Sequence, residues 1–239
     1  MGELDSRAWE AELRAGPLVF LPVGALEAHG PHLPLAADQI QAERTAVDLA
    51  RSEKGFVLPS LAYGVCRGAR RFPGTVALSV RALARLTEEL VANAGRMGVR
   101  RLVLLSGHAE PPHMAALREG ADAAVVRSPG VRVLVLSDYE FVYELRGKEA
   151  PATDGHAGVL ETSRVLAIRP ELVAGVRAAF EDRRSRYRVG DSTSEEWPES
   201  VVGDPRPASV ELGERIQQHV LRRITEVLRH DLTPEGAVS

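Results

Sequence analysis

Two short polar segments of the sequence carry residues that could bind metal ions. Glu27 and His29 lie two positions apart, so in an extended chain they project from the same face, and Asp38 follows where a helix would begin. His108 and Glu110 have the same two-residue spacing in a second segment. Histidine and carboxylate donors together suit zinc, manganese or iron. Two metal ions that share Asp38 as a bridge would use all five residues.

Each of these residues also has a simpler interpretation. A single His or Glu after a strand is usually a solvated or capping group, and Asp38 could be only the N-cap of the helix that follows. His32 lies between two prolines and His113 opens a predicted helix. We therefore expect His32 and His113 to order the chain rather than to act in catalysis.

The composition limits the partners and the kind of site. Among 239 residues, 30 Lys+Arg face 33 Asp+Glu, for a formal net charge of −3. This balance gives no electrostatic reason to expect nucleic acid or an anionic membrane as a partner. A single cysteine excludes an internal disulfide and a multi-cysteine zinc site, so we expect nitrogen and oxygen ligands for any metal. Without a signal peptide or an 18-residue apolar run, the expected location is cytoplasmic.

The elements that must position these residues alternate along the chain. Apolar segments predict strands at 18–23, 56–61, 101–105 and 131–136, and helical periodicity predicts helices at 38–51, 79–97, 112–126, 156–167 and 209–228. Residues 183–207 are predicted to form an irregular loop or lid. This order predicts one α/β domain over residues 1–239, with a mostly parallel sheet covered on both faces. Ligands bind beyond the carboxyl ends of parallel strands, so both polar segments should face one crevice.

Several motifs are shared with a known family. Residues 27–38 read Glu-Ala-His-Gly-Pro-His-Leu-Pro-Leu-Ala-Ala-Asp, and this segment resembles the first signature of the creatininase family of metal-dependent amidohydrolases. Further matches are Phe-Pro-Gly-Thr at 72–75, Gly-His at 107–108, His-Ala-Gly at 156–158, Glu-Thr-Ser at 161–163 and Gly-Asp-Pro at 203–205. The resemblance implies a three-layer α/β/α fold, a dinuclear metal centre and a homo-oligomer, often a hexamer.

The resemblance also assigns roles to individual residues. The family's metal ligands fall on Glu27, His29, Asp38 and His108. Glu110 is the expected fifth ligand, with Glu161 as the alternative; Glu161 could also orient a neighbour in catalysis or be an ordinary carboxylate on a helix surface. His156 resembles the family's catalytic histidine, although it could merely satisfy backbone groups at the start of a helix.

The activity implied by the resemblance is hydrolysis of a C–N bond in a small linear or cyclic amide. A metal-activated water would attack the carbonyl, and His156 would move a proton to the leaving nitrogen. Two other readings stay open. One is a creatininase-like peptidase that acts on a small peptide of the mycofactocin-precursor type, and the other is a non-catalytic scaffold that kept the fold.

One loop departs from the family pattern. Cys66 stands where the family commonly has Ser, and we expect it to be a small packing residue rather than a nucleophile. Arg67, Arg70 and Arg71 follow in the same loop. They are either solvated or, if they lie in the crevice, able to hold a carboxylate or phosphate of the substrate.

Overall fold

Four parallel strands form the central sheet. The computed structural model describes residues 1–175, 177–185, 187–190 and 195–232. Its strands are β1 (Leu18–Val23), β2 (Phe56–Val57), β3 (Arg101–Ser106) and β4 (Arg132–Ser137), in the order β2-β1-β3-β4. The neighbours β1 and β3 pair in parallel with Val23 opposite Ser106. Their carboxyl ends therefore meet at one point of the sheet edge.

Both faces of the sheet are buried, as the continuous apolar strands predict. In β1, Val19, Leu21 and Val23 pack into one hydrophobic cluster, whereas Leu18 and Phe20 pack into another on the opposite face. Successive side chains of a strand point to opposite faces, so a strand that is apolar throughout must be covered twice.

Helices supply the two covering layers. They are α1 (Ser6–Leu13), α2 (Ala37–Glu53), α3 (Val80–Arg96), α4 (Pro111–Arg127), α5 (Tyr139–Val142), α6 (Val159–Ile168) and α7 (Val210–Leu232). Residues of α1, α3 and α4 join the cluster on one face, and residues of α2, α5, α6 and α7 join the cluster on the other. The predicted α/β fold with a parallel sheet is confirmed. Helices α1 and α5 were not among the predicted elements.

The second strand is shorter than predicted. Val19 pairs with Phe56, but Val23 pairs with Leu61, so the segment between them contains one extra residue relative to β1. Pro59 lies in that segment and has no N–H to donate to the neighbouring strand. The regular pairing of β2 therefore ends at Val57, and the chain rejoins the sheet edge only at Leu61.

Helix α6 begins three residues later than predicted. Ala157 has a φ of 55°, outside the helical region, and the Asp154 carboxylate accepts the N–H groups of Val159 (2.8 Å) and Leu160 (3.2 Å). This carboxylate satisfies donors that the first helical turn leaves unpaired. His156 consequently lies in the loop before α6 and not on the helix.

The predicted irregular region is confirmed where the structure describes it. Within 183–207, residues 186 and 191–194 lie outside the described residues, and the described part contains a short 3-10 turn, Pro198–Ser200. Trp197 in this region is almost fully buried. None of the helices in the described ranges combines the length and the apolar character needed to cross a membrane.

Candidate metal centre

Two glycines allow the ends of β1 and β3 to touch the first turn of α2. A Cβ on Gly24 would lie 2.6 Å from the backbone of Gln39, and a Cβ on Gly107 would lie 2.0 Å from the carbonyl oxygen of Asp38. Both distances are too short for any side chain. Ala36 is the N-cap of α2 and no side chain caps this helix. The Asp38 carboxylate is therefore not a cap, and it lies buried at the carboxyl edge of the sheet.

The first donor set consists of His29, Asp38 and Glu161. His29 Nε2 lies 3.3 Å from Asp38 Oδ1 and 3.4 Å from Glu161 Oε1, and all three side chains are buried. On its other side, His29 Nδ1 lies 3.0 Å from the backbone carbonyl of Glu27, which can only accept a hydrogen bond. This contact assigns a proton to Nδ1 and, in the neutral ring, leaves the Nε2 lone pair facing the two carboxylates.

The second donor set consists of Glu27, Asp38 and His108. His108 Nδ1 lies 3.1 Å from Glu27 Oε2 and 3.2 Å from Asp38 Oδ2, while His108 Nε2 donates to the carbonyl of Val65 at 3.0 Å. Asp38 thus presents one carboxylate oxygen to each set. The geometry is that of a carboxylate between two adjacent sites.

The donor sets suit divalent cations. Glu27 Oε2, His29 Nε2 and Asp38 Oδ2 are buried and have no hydrogen-bond partner. Buried charges are strongly unfavourable unless they are paired or coordinate a metal. Three carboxylates that face two imidazole nitrogens at 3.1–3.4 Å therefore need positive charge between them, and oxygen and nitrogen donors are those that zinc, manganese and iron accept.

The pKa shifts of the cluster reflect the same requirement for positive charge between the carboxylates. Burial alone would raise the pKa of Asp38, but His29 and His108 lower it to about 2. Burial opposes ionisation of Glu27 and Glu161 as well, yet the neighbouring histidines lower the pKa of each. Conversely, the carboxylates raise the pKa values of His29 and His108 well above the ordinary value, against the effect of burial. The field that attracts protons here also attracts metal cations.

Glu161 is held by hydrogen bonds that leave it facing His29. Its Oε2 accepts the N–H of Ala157 at 2.7 Å, and its Oε1 accepts the hydroxyl of Tyr139 at 2.7 Å and the amide of Gln41 at 3.3 Å. Burial and the nearby Glu161 charge raise the pKa of Tyr139 well above 10, so its hydroxyl stays a donor. Glu161 is thus fixed by the backbone of the loop before α6 and by two side chains that are distant in sequence, Gln41 and Tyr139.

A buried ion pair anchors the helix that carries Glu161. Arg164 on α6 donates to Asp138, directly after β4, at 2.6 Å, and both side chains are almost fully inaccessible. Sequence reasoning missed Asp138, Tyr139 and Arg164. The available signal was that polar residues follow β4 at the sheet's carboxyl end, as they do after β1 and β3.

Glu110 lies close to the centre but outside both donor sets. Its Oε2 accepts the N–H of Arg67 at 2.7 Å and its Oε1 accepts the N–H of Gly68 at 3.1 Å. Its distance to His108 is 3.8 Å, measured to Nε2, the nitrogen that faces Val65 and not Asp38. The expectation that Glu110 is a metal ligand stays a prediction that these contacts do not favour.

His156 lies beside the first donor set. Its ring centroid is 4.2 Å from that of His29, and its Nε2 donates to the carbonyl of Ala28 at 2.8 Å. Burial and the neighbouring His29 lower the pKa of His156. The neutral ring therefore keeps Nδ1 free to accept a proton.

A cavity of about 400 Å³ opens onto the two donor sets. Trp197 contacts the ring of His156 with a centroid distance of 5.1 Å, and the guanidinium of Arg184 stacks 4.0 Å above Trp197. The described residues that line this cavity are Glu27, Asp38, Gly68, Gly107, His108, Ala109, Glu110, Pro111, Tyr139, Tyr143, His156, Glu161, Arg184 and Trp197.

The arginine of the cavity wall is not one of those singled out in the sequence. Arg67, Arg70 and Arg71 are exposed, and none of them lines the cavity. Arg184 comes from the predicted loop or lid and pairs with Asp182 through two contacts of 2.8 Å. Its aromatic partner, Trp197, was not predicted from the sequence either, because no sequence spacing connects residues of this loop with the ends of the strands.

The two histidines expected to order the chain do so. His32 Nε2 lies 3.1 Å from the carbonyl of Ala157 and 3.0 Å from the hydroxyl of Thr162. His113 accepts the N–H of Val65 at 3.2 Å. Both rings are buried, and burial lowers the pKa of His32 to about 4 and that of His113 to about 3.

Comparison with known proteins identifies the family. A family model described as "Creatininase: Creatinine amidohydrolase" matches residues 2–228. The chain belongs to the creatininase family. It is 31% identical to the creatinine amidohydrolase of Pseudomonas putida over 255 residues, which cover 98% of this chain and 97% of that protein. It is 33% identical to the mycofactocin precursor peptide peptidase of Mycolicibacterium smegmatis over 218 residues, covering 84% and 79%.

Solved creatininase structures have the same fold. A manganese creatininase superposes with a TM-score of 0.89 at 28% identity, covering 98% of both chains. A creatininase mutant of Zn–Zn type superposes with a TM-score of 0.87 over the same share. The resemblance predicted from the motifs is confirmed, and so is the activity class: this creatininase-family protein is an amidohydrolase that acts on C–N bonds.

Proposed function

We propose that the chain hydrolyses a small linear or cyclic amide with two divalent metal ions, one at each donor set. The observation that carries this proposal is Asp38, which offers one oxygen to His29 and the first set and the other to His108 and the second set. Manganese and zinc are the ions named for solved relatives, and the oxygen and nitrogen donors of this chain suit both.

The residues around the ions would position the ligands and transfer the proton. Bound ions of this kind supply Lewis acidity and make water nucleophilic near neutral pH. Tyr139 and Gln41 hold the Glu161 carboxylate toward His29 through hydrogen bonds of 2.7 and 3.3 Å, and both bonds would survive substrate binding because all three side chains are buried. These contacts keep the negative charge of Glu161 in place without any rearrangement during the reaction.

His156 would transfer the proton. Its Nε2 is occupied by the carbonyl of Ala28, so Nδ1 is the nitrogen that accepts a proton from water and returns it to the leaving nitrogen. The lowered pKa of His156 keeps the ring neutral at the outset, as a base must be. Trp197 packs against the same ring and limits the access of bulk water.

The cavity supports a small substrate. A volume of about 400 Å³ is at the lower end of ligand pockets, which usually span roughly 300–1,000 Å³. One relative is a creatinine amidohydrolase, and one solved relative is a creatininase mutant complexed with creatine. A cyclic or linear amide of that size is the substrate class we propose.

A second candidate is cleavage of a short peptide. Arg184 on the cavity wall favours it, because its Nη1 lies beside Gly68 at the cavity while Nε and Nη2 bind Asp182. An arginine so placed can bind a carboxylate such as a peptide's C-terminus. The peptide peptidase relative is consistent with this alternative.

The test combines metal analysis with a substrate panel. The purified chain should contain up to two zinc or manganese ions, lose hydrolysis after chelation and regain it when either ion is returned. The panel would compare creatinine, N-formyl amides and short peptides with free or amidated C-termini. Hydrolysis that persists in the metal-free protein would overturn the proposal, and a protein that neither binds metal nor cleaves any amide would favour the scaffold reading.

A homo-oligomer and a cytoplasmic location complete the proposal. Light scattering on the purified protein and fractionation of cells that express it measure these two properties directly. A monomer at all concentrations would contradict the first, and recovery with a membrane or secreted fraction would contradict the second.

A further inference from the structure

The only cysteine of the chain faces the second donor set. Cys66 is fully buried, and the donor atoms of Glu27, Cys66 and His108 lie within 4.8 Å of one another. The thiol therefore lies beside the His108 ring. The proposed reaction uses neither the thiol nor its sulfur, so this contact has no explanation in the amide chemistry.

A second observation points to a ligand at the same place. Glu27 Oε2 is buried, has no hydrogen-bond partner and lies 3.1 Å from His108 Nδ1. Asp38 Oδ2, 3.2 Å from the same nitrogen, is equally without a partner. The sulfur of Cys66 therefore converges with the orphaned carboxylate of Glu27 and with the His108 ring, and Asp38 Oδ2 contacts the same ring.

We propose that Cys66 is a thiolate ligand of the ion at the second donor set. That ion would then have Glu27, Asp38, His108 and Cys66 as protein ligands, whereas the first set offers only nitrogen and oxygen. When the ion binds, the thiol proton passes to solvent. The proposal rests on the proposed metal centre, and it amends the expectation from the sequence: a single cysteine excludes a thiolate-rich site but not a single thiolate.

A thiolate would make the two sites unequal. Soft sulfur ligands favour zinc, whereas carboxylate ligands also suit manganese, so the second site should select zinc more strongly than the first. Zinc sites with four protein ligands are usually closed, and those with three keep an open position. The ion at the second site should therefore exchange more slowly, and the first site, next to His156, should be the one that accepts manganese.

Cobalt substitution tests this assignment directly. A thiolate bound to Co²⁺ gives a sulfur-to-cobalt charge-transfer band in the near ultraviolet, and because the chain has one cysteine, such a band can come only from Cys66. X-ray absorption of the zinc-loaded protein should show a sulfur neighbour at about 2.3 Å. In Cys66→Ser the band should vanish, and the zinc dissociation constant of the second site should rise at least about 100-fold.

A matched variant separates the two sites. His29→Ala removes a donor of the first set only, so it should lose one equivalent of cobalt and keep the charge-transfer band. Two equivalents of cobalt in the unmodified protein with neither a sulfur band nor a sulfur neighbour would overturn the role of Cys66 and leave the metal centre intact. A protein that binds no cobalt or zinc would overturn the centre itself. The charge-transfer band and the sulfur neighbour are both measured on the unmodified chain, so the test does not depend on whether a variant folds.

Discussion

Replacing Glu161 by Gln should remove one of the two proposed metal ions and leave the fold intact. The substitution keeps the volume of the side chain and an oxygen that can accept the Tyr139 hydroxyl, now at 2.7 Å. Its NH₂ would face the Ala157 N–H, so we expect a metal-independent loss of about 1–3 kcal/mol as well, which the comparison with and without metal subtracts. It removes the negative charge 3.4 Å from His29 Nε2. The first donor set would then retain one carboxylate, that of Asp38, which it shares with the second set.

The size of the effect follows from the loss of a direct ligand. Residues that merely hydrogen-bond a ligand are worth about 10–100-fold in metal affinity, so losing Glu161 should cost at least about 100-fold. At an ion concentration about 1,000 times the original dissociation constant, one bound ion stabilises the fold by about 4.1 kcal/mol, and after the loss by about 1.4 kcal/mol. For a chain of this length the difference corresponds to roughly 5–10 °C in the metal-dependent rise of Tm.

The assay is thermal unfolding with and without chelator, together with elemental analysis after dialysis. Glu110→Gln is the control, since both Glu110 oxygens accept backbone N–H groups, from Arg67 and Gly68. This variant should keep both ions and lose about 1–3 kcal/mol of stability whether or not metal is present, because an amide NH₂ would face a backbone donor. If Glu110→Gln loses an ion and Glu161→Gln keeps both, the ligand assignment drawn from the contacts is refuted.

Three further predictions test other parts of the centre. His156→Ala should lower turnover about 10²–10⁴-fold while elemental analysis still finds two ions, and normal turnover would exclude its role as proton carrier. Gly107→Ala places a Cβ 2.0 Å from the Asp38 carbonyl, so denaturant unfolding should show a loss of at least about 1–3 kcal/mol and ion titration a weaker affinity; an unchanged titration would contradict this. The pKa of buried His32 is about 4 in the fold against 6.5 for the free side chain. Because the unfolded chain binds the proton more readily, the free energy of unfolding should fall as pH drops below 6.5, by about 2 kcal/mol at pH 5 in metal-free protein. His32→Gln should flatten the stability profile between pH 7 and pH 5, and an equally steep profile would refute this.

The part of the centre that depends on strand ends could be predicted from the sequence. Apolar runs located β1 and β3, and the rule that ligands lie beyond the carboxyl ends of parallel strands brought Glu27 and His108 into one crevice. In the structure Val23 lies opposite Ser106, and this register places Glu27 and His108, which follow the two strands, side by side. The signal was local, since each polar segment directly follows its strand.

The choice between Glu110 and Glu161 could not be made in the same way. Glu110 has the two-residue spacing from His108 that Glu27 has from His29, and this spacing, together with the family resemblance, made it the expected fifth ligand. In the structure it is the N-cap residue of α4 with an extended backbone, and its carboxylate turns to the loop around Gly68. Which side it faces depends on a loop more than forty residues earlier in the chain, and no periodicity encodes that contact.

The ion pair between Arg164 and Asp138 helps to hold the buried charges of the centre in place. A buried ion pair such as Arg164–Asp138 contributes little net stability, because desolvation offsets the attraction. Its effect here is positional, since it fixes α6 against the end of β4 and so keeps Glu161 beside His29. The protein thus folds with carboxylates already converged, and the free energy released when cations bind is also free energy of folding. Removing the ions should therefore weaken the packing of α6 before it disturbs β1 and β3, whose pairing does not depend on the charge at their ends.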